Sequence, residues 1–481
     1  MDSQPLDSDP ITGQKPSDHC AVIGVVGDTP VIDNIILGLR TLQHRGQESA
    51  GIAVYDGSII KLKKGMGLVS EVFSHREQNL SGNFYGNVGI GHTRYSTQGS
   101  KNLENAGPFV VSSSTGYLAV SHNGEITNAE TIREELKRKG SAFLTGSDTE
   151  AMLMEIARDV GELGIYPGLK IAMGKLRGSY SIALMINDTL YAIRDPNGFR
   201  PLVIGKVDNS YIVSSESCVF DVLGGEMIRD VRPGEVIEMT PKRYTTLFQI
   251  RPRRISHCMF EYVYFARPDS IIDNIEVFST RIKLGKTLAR ESPVSADIVI
   301  PVPDSGRAQA LGFAEESGIP YNEGLIKNRF SERTFIMPTQ MERKTAVRLK
   351  LNPIRSAIEG KRVVLVDDSI VRGNTIKHIV SILRSHGARE VHVRVGSPPI
   401  IAPCYFGVDM KTKSEFIARS RSIESIREEI GSDSLAYLSI DGLVSAIGME
   451  KDNLCLGCLT GKYPEPIPGQ IKIRQSELEN Y

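Results

Sequence analysis

At 481 residues the chain is too long for one ordinary hydrophobic core, so about two or three domains are expected. Hydrophobic residues make up 40% and charged residues 24%, the balance of a soluble globular protein. Lys plus Arg and Asp plus Glu both total 57; the zero net charge argues against a general nucleic-acid or membrane surface, and no apolar run approaches the ~18 residues of a bilayer span. A cytoplasmic protein is expected.

Residues 1–19 carry four Asp and three Pro and almost nothing to bury. They lack the basic start and apolar stretch of about 7–15 residues that define a signal peptide, and they read as a disordered leader. Cys20 then opens an apolar run, CAVIGVVG, that predicts a buried strand. If the leader is cleaved off, the α-amine of Cys20 stands beside its own thiol. An α-amine titrates near 7.7–8.0, so roughly a tenth or more is unprotonated at neutral pH and can accept the thiol proton. The alternative is a small buried hydrophobe at a strand start.

A helical pattern follows over Ile32 to Leu42 and ends in the polar cluster Gln43-His44-Arg45-Gly46-Gln47-Glu48-Ser49. Short strand-like pieces then recur between Gly-rich turns: AGIAVY, VGIGHTRYST, GYLAVSHNGEI, SYSIALMI, LYAIRD and YIVSSES. Helical segments near 128–139 and 148–160 interrupt them, which predicts a layered α+β domain over residues 20–250.

Near Arg251 the pattern changes. The segment RPRRISHCMFEYVYFARPDS is read as a connection, after which strands alternate with helices, as in a parallel α/β domain over 251–481. Its strands are ADIVIPV, PYNEGLIK, KRVVLV and REVHVRV, with a helix from Arg307 to Glu316. The tail after Leu459 reads as peripheral.

The most informative stretch is Val363 to Thr375, VVLVDDSIVRGNT. Four apolar residues stop at Asp367 and Asp368, and a small-residue loop leads to a helix with Ile376, Ile379, Val380 and Leu383 on one face. N–H groups at such a helix start suit a phosphate, while two adjacent carboxylates repel unless a cation or hydroxyl donors share them. A ribose bearing Mg2+ and a 5'-phosphate satisfies both halves. The bland reading is a solvated loop with a capping hydroxyl.

This stretch resembles the phosphoribosyl diphosphate (PRPP) motif of type I phosphoribosyltransferases. That resemblance implies PRPP binding by Asp367, Asp368, Ser369, Arg372, Gly373, Asn374 and Thr375, a diphosphate loop at Pro301–Gly306, and a cationic closing loop bearing Lys327 and Arg333. Ser305, Asp367 and Asp368 become the expected Mg2+ donors. In the first half, HTRYST, SHNGEI and GSDTE together with Cys20 resemble the N-terminal-nucleophile glutamine amidotransferases, which fold as a four-layer α+β sandwich. This implies Cys20 as nucleophile, Asn123 and the N–H of Gly124 as oxyanion hole, and Arg94 and Asp148 as the groups holding the glutamine carboxylate and amine. Arg45 lies in a motif resembling the glutamine-site loop, with a helix-end role as the alternative. His92 and His122 are read as ordinary turn or core residues.

Both halves, in this order, resemble the glutamine phosphoribosylpyrophosphate amidotransferase family. The resemblance implies formation of 5-phosphoribosylamine from glutamine and PRPP, internal ammonia transfer, inhibition by purine nucleotides, and a homotetramer. Cys258, Cys404, Cys455 and Cys458 are four thiols whose spacing alone favours a zinc site; the resemblance is to the subfamily in which these positions hold a 4Fe-4S cluster. Cys218 falls outside that set and is expected to be a packed core thiol. A PRPP-sensing regulator without catalysis does not account for the glutaminase residues, and the PRPP motif argues against other amidotransferases.

Overall fold

The computed structural model describes residues 20–74, 84–95, 102–251, 254–327, 351–410 and 416–467. The leader and Arg333 lie outside the described residues.

The first half is built on two facing antiparallel sheets. In the seven-stranded sheet, Cys20–Val26 is central, flanked by Ser210–Ser214 and Val88–Arg94. Its run lacks alternation because both faces are buried: Ala21, Ile23 and Val25 pack under the helices Ile32–Thr41 and Cys218–Leu223, while Val22 and Val26 meet the second sheet. The six-stranded sheet centres on Thr189–Arg194 and Gly178–Ile186, the latter paired with Gly116–Ile126 over nine residues. Its inner face gives Ala119, Ala183, Leu190 and Ala192 to the shared core. Its outer face carries the helices Ala129–Arg138, Asp148–Leu163 and Ile165–Lys175. Helix, sheet, sheet and helix make the expected four layers.

The second half has a four-stranded parallel sheet in the order Ile298–Pro301, Arg362–Asp367, Glu390–Val395, Ser434–Tyr437. Alternate residues of the central strand explain its continuous apolar run. Val364 and Val366 face the helices Val277–Glu291 and Arg307–Ser317, while Val363 and Leu365 face Asn374–Ser385. Ile376, Ile379, Val380 and Leu383 are the buried face of that last helix, as their spacing predicts.

Three sequence expectations need correction. Only Leu325–Lys327 of PYNEGLIK is a strand, and it pairs antiparallel with Leu351–Pro353 in a separate ribbon, touching the parallel sheet through one bridge at Tyr321. The connection after Arg251 is a structural core: Met259, Phe260, Tyr262, Val263 and Phe265 are buried in it. Tyr262, Val263 and Phe265 belong to a turn of helix at Glu261–Phe265, with Met259 and Phe260 just before it, too short for periodicity to reveal. The tail is not peripheral over its described part. The Tyr463 hydroxyl donates to Pro403 O at 2.6 Å, and Glu465 accepts the Gly178 N–H at 3.1 Å, fastening the tail to both halves.

Candidate active sites

In the first half, antiparallel register places Cys20 directly opposite Arg94, whose other neighbour is Ser49. One cavity of about 340 Å3, a figure that includes open solvent, is lined by Cys20 and Arg94 from this sheet, Gly124 from the other, and Ser147, Asp148 and Thr149 at a helix start. Four chain segments thus supply a thiol, a cation, backbone and a carboxylate to one space. Ser147 caps the helix by accepting the Thr149 N–H at 3.3 Å. Asp148 is pinned through Oδ2 by the Ile126 N–H and through Oδ1 by the Thr149 N–H, both at 2.9 Å.

Asn123 is fully buried beside Gly124, and neither its carboxamide oxygen nor its nitrogen has a hydrogen-bond partner among the described residues. Leaving such a group unpaired costs about 1–3 kcal/mol, a cost that a ligand's polar atom would offset. Asn123 does not itself line the cavity.

His92 and His122 are buried, as their reading as core residues expects, and they also line it. Burial pushes His92 down to about 3, although its Nε2 lies 3.0 Å from the His122 carbonyl oxygen. Burial also depresses His122, whose Nδ1 sits 3.0 Å from the Thr149 hydroxyl. Both are therefore neutral at physiological pH and serve the wall of the site as uncharged hydrogen-bonding groups.

Arg45 is absent from this cavity. It is 1% exposed and joins the two halves: Nε pairs with Glu216, and Nη2 with Glu261 Oε2 at 2.6 Å. Glu261 also accepts from Arg200 Nη1 at 3.0 Å. This buried network has no sequence signature, because its partners are far apart along the chain.

In the second half, Asp367 ends its strand and Asp368 and Ser369 follow, all buried. The Ser369 hydroxyl donates to Asp368 Oδ1 at 2.6 Å, and the Asp368 N–H to Asp367 Oδ1 at 3.0 Å. Gly373 is the N-cap of Asn374–Ser385, so Asn374 and Thr375 begin that helix, with Arg372 just before it. The Pro301–Gly306 turn lies alongside, because Pro301 is paired with Val366 and Val302 N donates to Val366 O at 2.8 Å. Ser305 in that turn and the two aspartates therefore lie at the carboxyl ends of adjacent parallel strands, the usual ligand edge of such a sheet. Lys327 is exposed and reaches Asp304 Oδ2 at 3.3 Å. Burial acts against the charge on Asp304, but Lys327 and Arg307 hold its carboxyl below the ordinary range. Arg281, which sequence reasoning missed, is buried near Asp368. Burial lowers its guanidinium to about 10 while Asp368 opposes the fall.

The four cysteines Cys258, Cys404, Cys455 and Cys458 line one further cavity of about 380 Å3, again counting open solvent, with Phe199, Phe406 and Tyr463 among its walls. Parallel pairing sets Cys258 opposite Cys455. Burial raises all four thiols, Cys455 to about 12. Among the described residues no group of three or more His, Cys, Asp or Glu is placed to hold a metal ion, the four cysteines included. Cys218 is buried elsewhere, pushed up to about 12 chiefly by burial, as a core thiol should be.

Fold and sites together define a glutamine amidotransferase of the N-terminal-nucleophile class joined to a type I phosphoribosyltransferase. A glutamine amidotransferase domain matches residues 92–221, and a phosphoribosyl transferase domain matches 281–395. The amidophosphoribosyltransferase of Archaeoglobus fulgidus is 52% identical, covering 90% of this chain and 94% of its own. That of Methanothermobacter thermautotrophicus is 48% identical, covering 94% and 96%. The solved glutamine PRPP amidotransferase of Bacillus subtilis, in complex with ADP and GMP, superposes with a TM-score of 0.86 at 45% identity, covering 94% of this chain and 98% of the other. The chain belongs to the amidophosphoribosyltransferase family. Its reaction converts glutamine, PRPP and water to 5-phosphoribosylamine, glutamate and diphosphate, at the entry to purine synthesis. Among the described residues, no helix is long and apolar enough to cross a membrane.

Proposed function

We propose that residues 20–250 release ammonia from glutamine at Cys20 and that residues 251–481 deliver it to PRPP at the Asp367-Asp368 edge. The observation that carries this reading is the convergence of Cys20, Arg94, Gly124 and Asp148 on one cavity. With residues 1–19 removed, the Cys20 α-amine takes the thiol proton, and the sulfur attacks the glutamine side-chain carbonyl. The oxyanion is stabilised by the Gly124 N–H and by the adjacent Asn123 carboxamide, which has no partner among the described residues. Arg94 and Asp148 pair with the α-carboxylate and α-amine. Collapse expels ammonia with the proton held by the amine, and water then hydrolyses the thioester to glutamate. At the second site, ammonia attacks the ribose carbon while the carbon–diphosphate bond breaks, and one proton leaves the amine formed.

PRPP is held by the N–H groups and side chains of Ser369, Arg372, Gly373, Asn374 and Thr375, with Lys327 and Arg333 closing on the diphosphate. Asp367, Asp368 and Ser305 suit Mg2+. They are two carboxylates and a hydroxyl, too few to complete an octahedron alone, which fits an ion that keeps waters and takes substrate oxygens. When bound, Mg2+ neutralises charge on the departing diphosphate. Cys258, Cys404, Cys455 and Cys458 suit a 4Fe-4S cluster. Four thiols line one largely apolar cavity, an all-thiol donor set of the kind such a cluster takes. Its role is to fasten the C-terminal segment, since the transferase chemistry is accounted for elsewhere.

Purine nucleotides act as inhibitors and the assembly is a homotetramer; the ADP and GMP held by the B. subtilis relative support the first. A cytoplasmic location suits six cysteines of which none is in a disulfide, and neither nucleic acid nor membrane is a partner. The test is glutamine hydrolysis measured with and without PRPP. Rates should rise with PRPP, and Asn123→Ala should lower them about 10²–10³-fold. A wild-type rate in that variant overturns the oxyanion assignment.

A further inference from the structure

We propose that the turn Cys404–Gly407 of the transferase half is a positioning element of the glutaminase, holding the Gly124 oxyanion donor through Ser179 and through direct backbone contact. The proposal deepens the reading above and rests on Gly124 being that donor.

The geometry has two arms. In the first, Ser179 sits opposite Glu125 in the strand pair that carries Gly124. Its hydroxyl accepts the Glu125 N–H at 3.0 Å and donates to Phe406 O at 2.9 Å. One fully buried hydroxyl therefore ties the residue after Gly124 to the other half of the molecule. In the second arm, Gly407 has a φ of +90°, and a Cβ placed on it would stand 3.0 Å from Gly124 C and 3.1 Å from Gly124 Cα. The two backbones are thus in contact, with no room between them for a side chain.

Gly124 is confined from the opposite direction as well. Its φ is +152°, and a Cβ there would meet Ser179 O at 2.1 Å. Clamped between Ser179 and Gly407, its peptide has little freedom to turn. The turn itself is held by a rigid frame. Arg200 donates to Gly407 O and, through Nη1, to Glu261 Oε1 at 3.0 Å. Phe406 stacks on Phe199 with ring centroids 4.3 Å apart and planes 13° from parallel. Frame and clamp both span the two halves, and none of these residues touches glutamine in the proposed reading; they act through Gly124.

An oxyanion donor works only within a few tenths of an ångström of its target, and a misplacement of about 1 Å can cost about 10² in rate. Loosening the clamp should therefore lower the turnover of glutamine and leave its binding nearly intact, because Arg94 and Asp148 are untouched. Ser179→Ala removes only a hydroxyl, and Gly407→Ala adds a methyl against Gly124. In each variant kcat for glutamine hydrolysis should fall about 10- to 100-fold, with KM within about threefold of wild type. Synthesis from added ammonia, measured on the same preparations, should stay at the wild-type rate and shows that the transferase half is folded.

A fall of less than fivefold in kcat for Ser179→Ala, a rise in KM with kcat kept, or a parallel loss of ammonia-dependent synthesis overturns the proposal. Asn123→Ala assayed alongside separates the two failures. If it loses about 10²–10³ while Ser179→Ala loses nothing, the positioning role alone is wrong; if it loses nothing, the oxyanion reading fails and takes this proposal with it.

Discussion

Replacing Glu216 by Gln should destabilise the protein by about 3–5 kcal/mol, the usual cost of removing one member of a buried ion pair. Arg45 and Glu216 are both fully buried, as are the second pair Glu261 and Arg200. Two guanidinium and two carboxylate groups cancel, so the substitution leaves one uncompensated positive charge out of reach of water. Among the described residues Glu216 takes five donors: Arg45 Nε, His44 Nε2 at 2.7 Å, the Arg267 N–H at 2.8 Å, the Ser270 hydroxyl at 2.6 Å and, weakly, the Cys218 thiol at 3.9 Å. A carboxamide nitrogen cannot accept, so at least one charge-assisted bond, about 1.5–3 kcal/mol, is lost as well. At about 2–4 °C per kcal/mol for a unit of this size, Tm should drop by roughly 6–20 °C.

The same network sets an acid limit. Burial alone would raise the Glu216 carboxyl, but Arg45 and then His44 hold it well below the free value of 4.5. A depressed carboxyl contributes stability fully above that value and loses it as the pH falls toward the folded one, so the difference between wild type and Glu216→Gln should shrink below about pH 4.5. Thermal melts at neutral and acid pH, with Arg45→Met and the double variant completing a cycle, measure both effects. A single-variant loss under about 1 kcal/mol, or losses in the two single variants that add in the double, would refute the coupled network.

At the transferase site, Asp368→Asn should weaken the use of Mg-PRPP by at least about tenfold in KM while basal glutamine hydrolysis continues; titration with PRPP checks it, and unchanged affinity contradicts the metal assignment. For the four-thiol cavity, protein purified without oxygen should be brown with about four irons per chain, and Cys455→Ser should lose colour and thermal stability while Cys218→Ser keeps the colour. Stoichiometric zinc without iron would defeat the cluster reading.

Much of the fold is legible in the sequence. The Val363–Asp367 run and the 3.6-residue spacing of Ile376, Ile379, Val380 and Leu383 announce a buried parallel strand and its covering helix because a single local element carries each pattern. Cys20 and Arg94 were separately conspicuous, and antiparallel register then set them side by side. What stayed hidden depends on contacts between distant segments. Arg45 looked like part of a glutamine loop, yet its partners are 171 and 216 residues away and convert it into an interdomain tie. His92 and His122 looked like core residues; they are buried, as expected, but burial is also what makes them neutral walls of the cavity. The Ser179–Phe406 link spans 227 residues and involves a main-chain oxygen, which no side-chain pattern can report.

The central claim is that two chemically separable sites share one chain, with Cys20 serving only the first. Its most direct test is Cys20→Ala in a chain beginning at residue 20, assayed for 5-phosphoribosylamine formation from glutamine and from ammonia. The account predicts complete loss of glutamine-dependent synthesis with ammonia-dependent synthesis preserved; equal loss of both, or retention of the glutamine reaction, contradicts it.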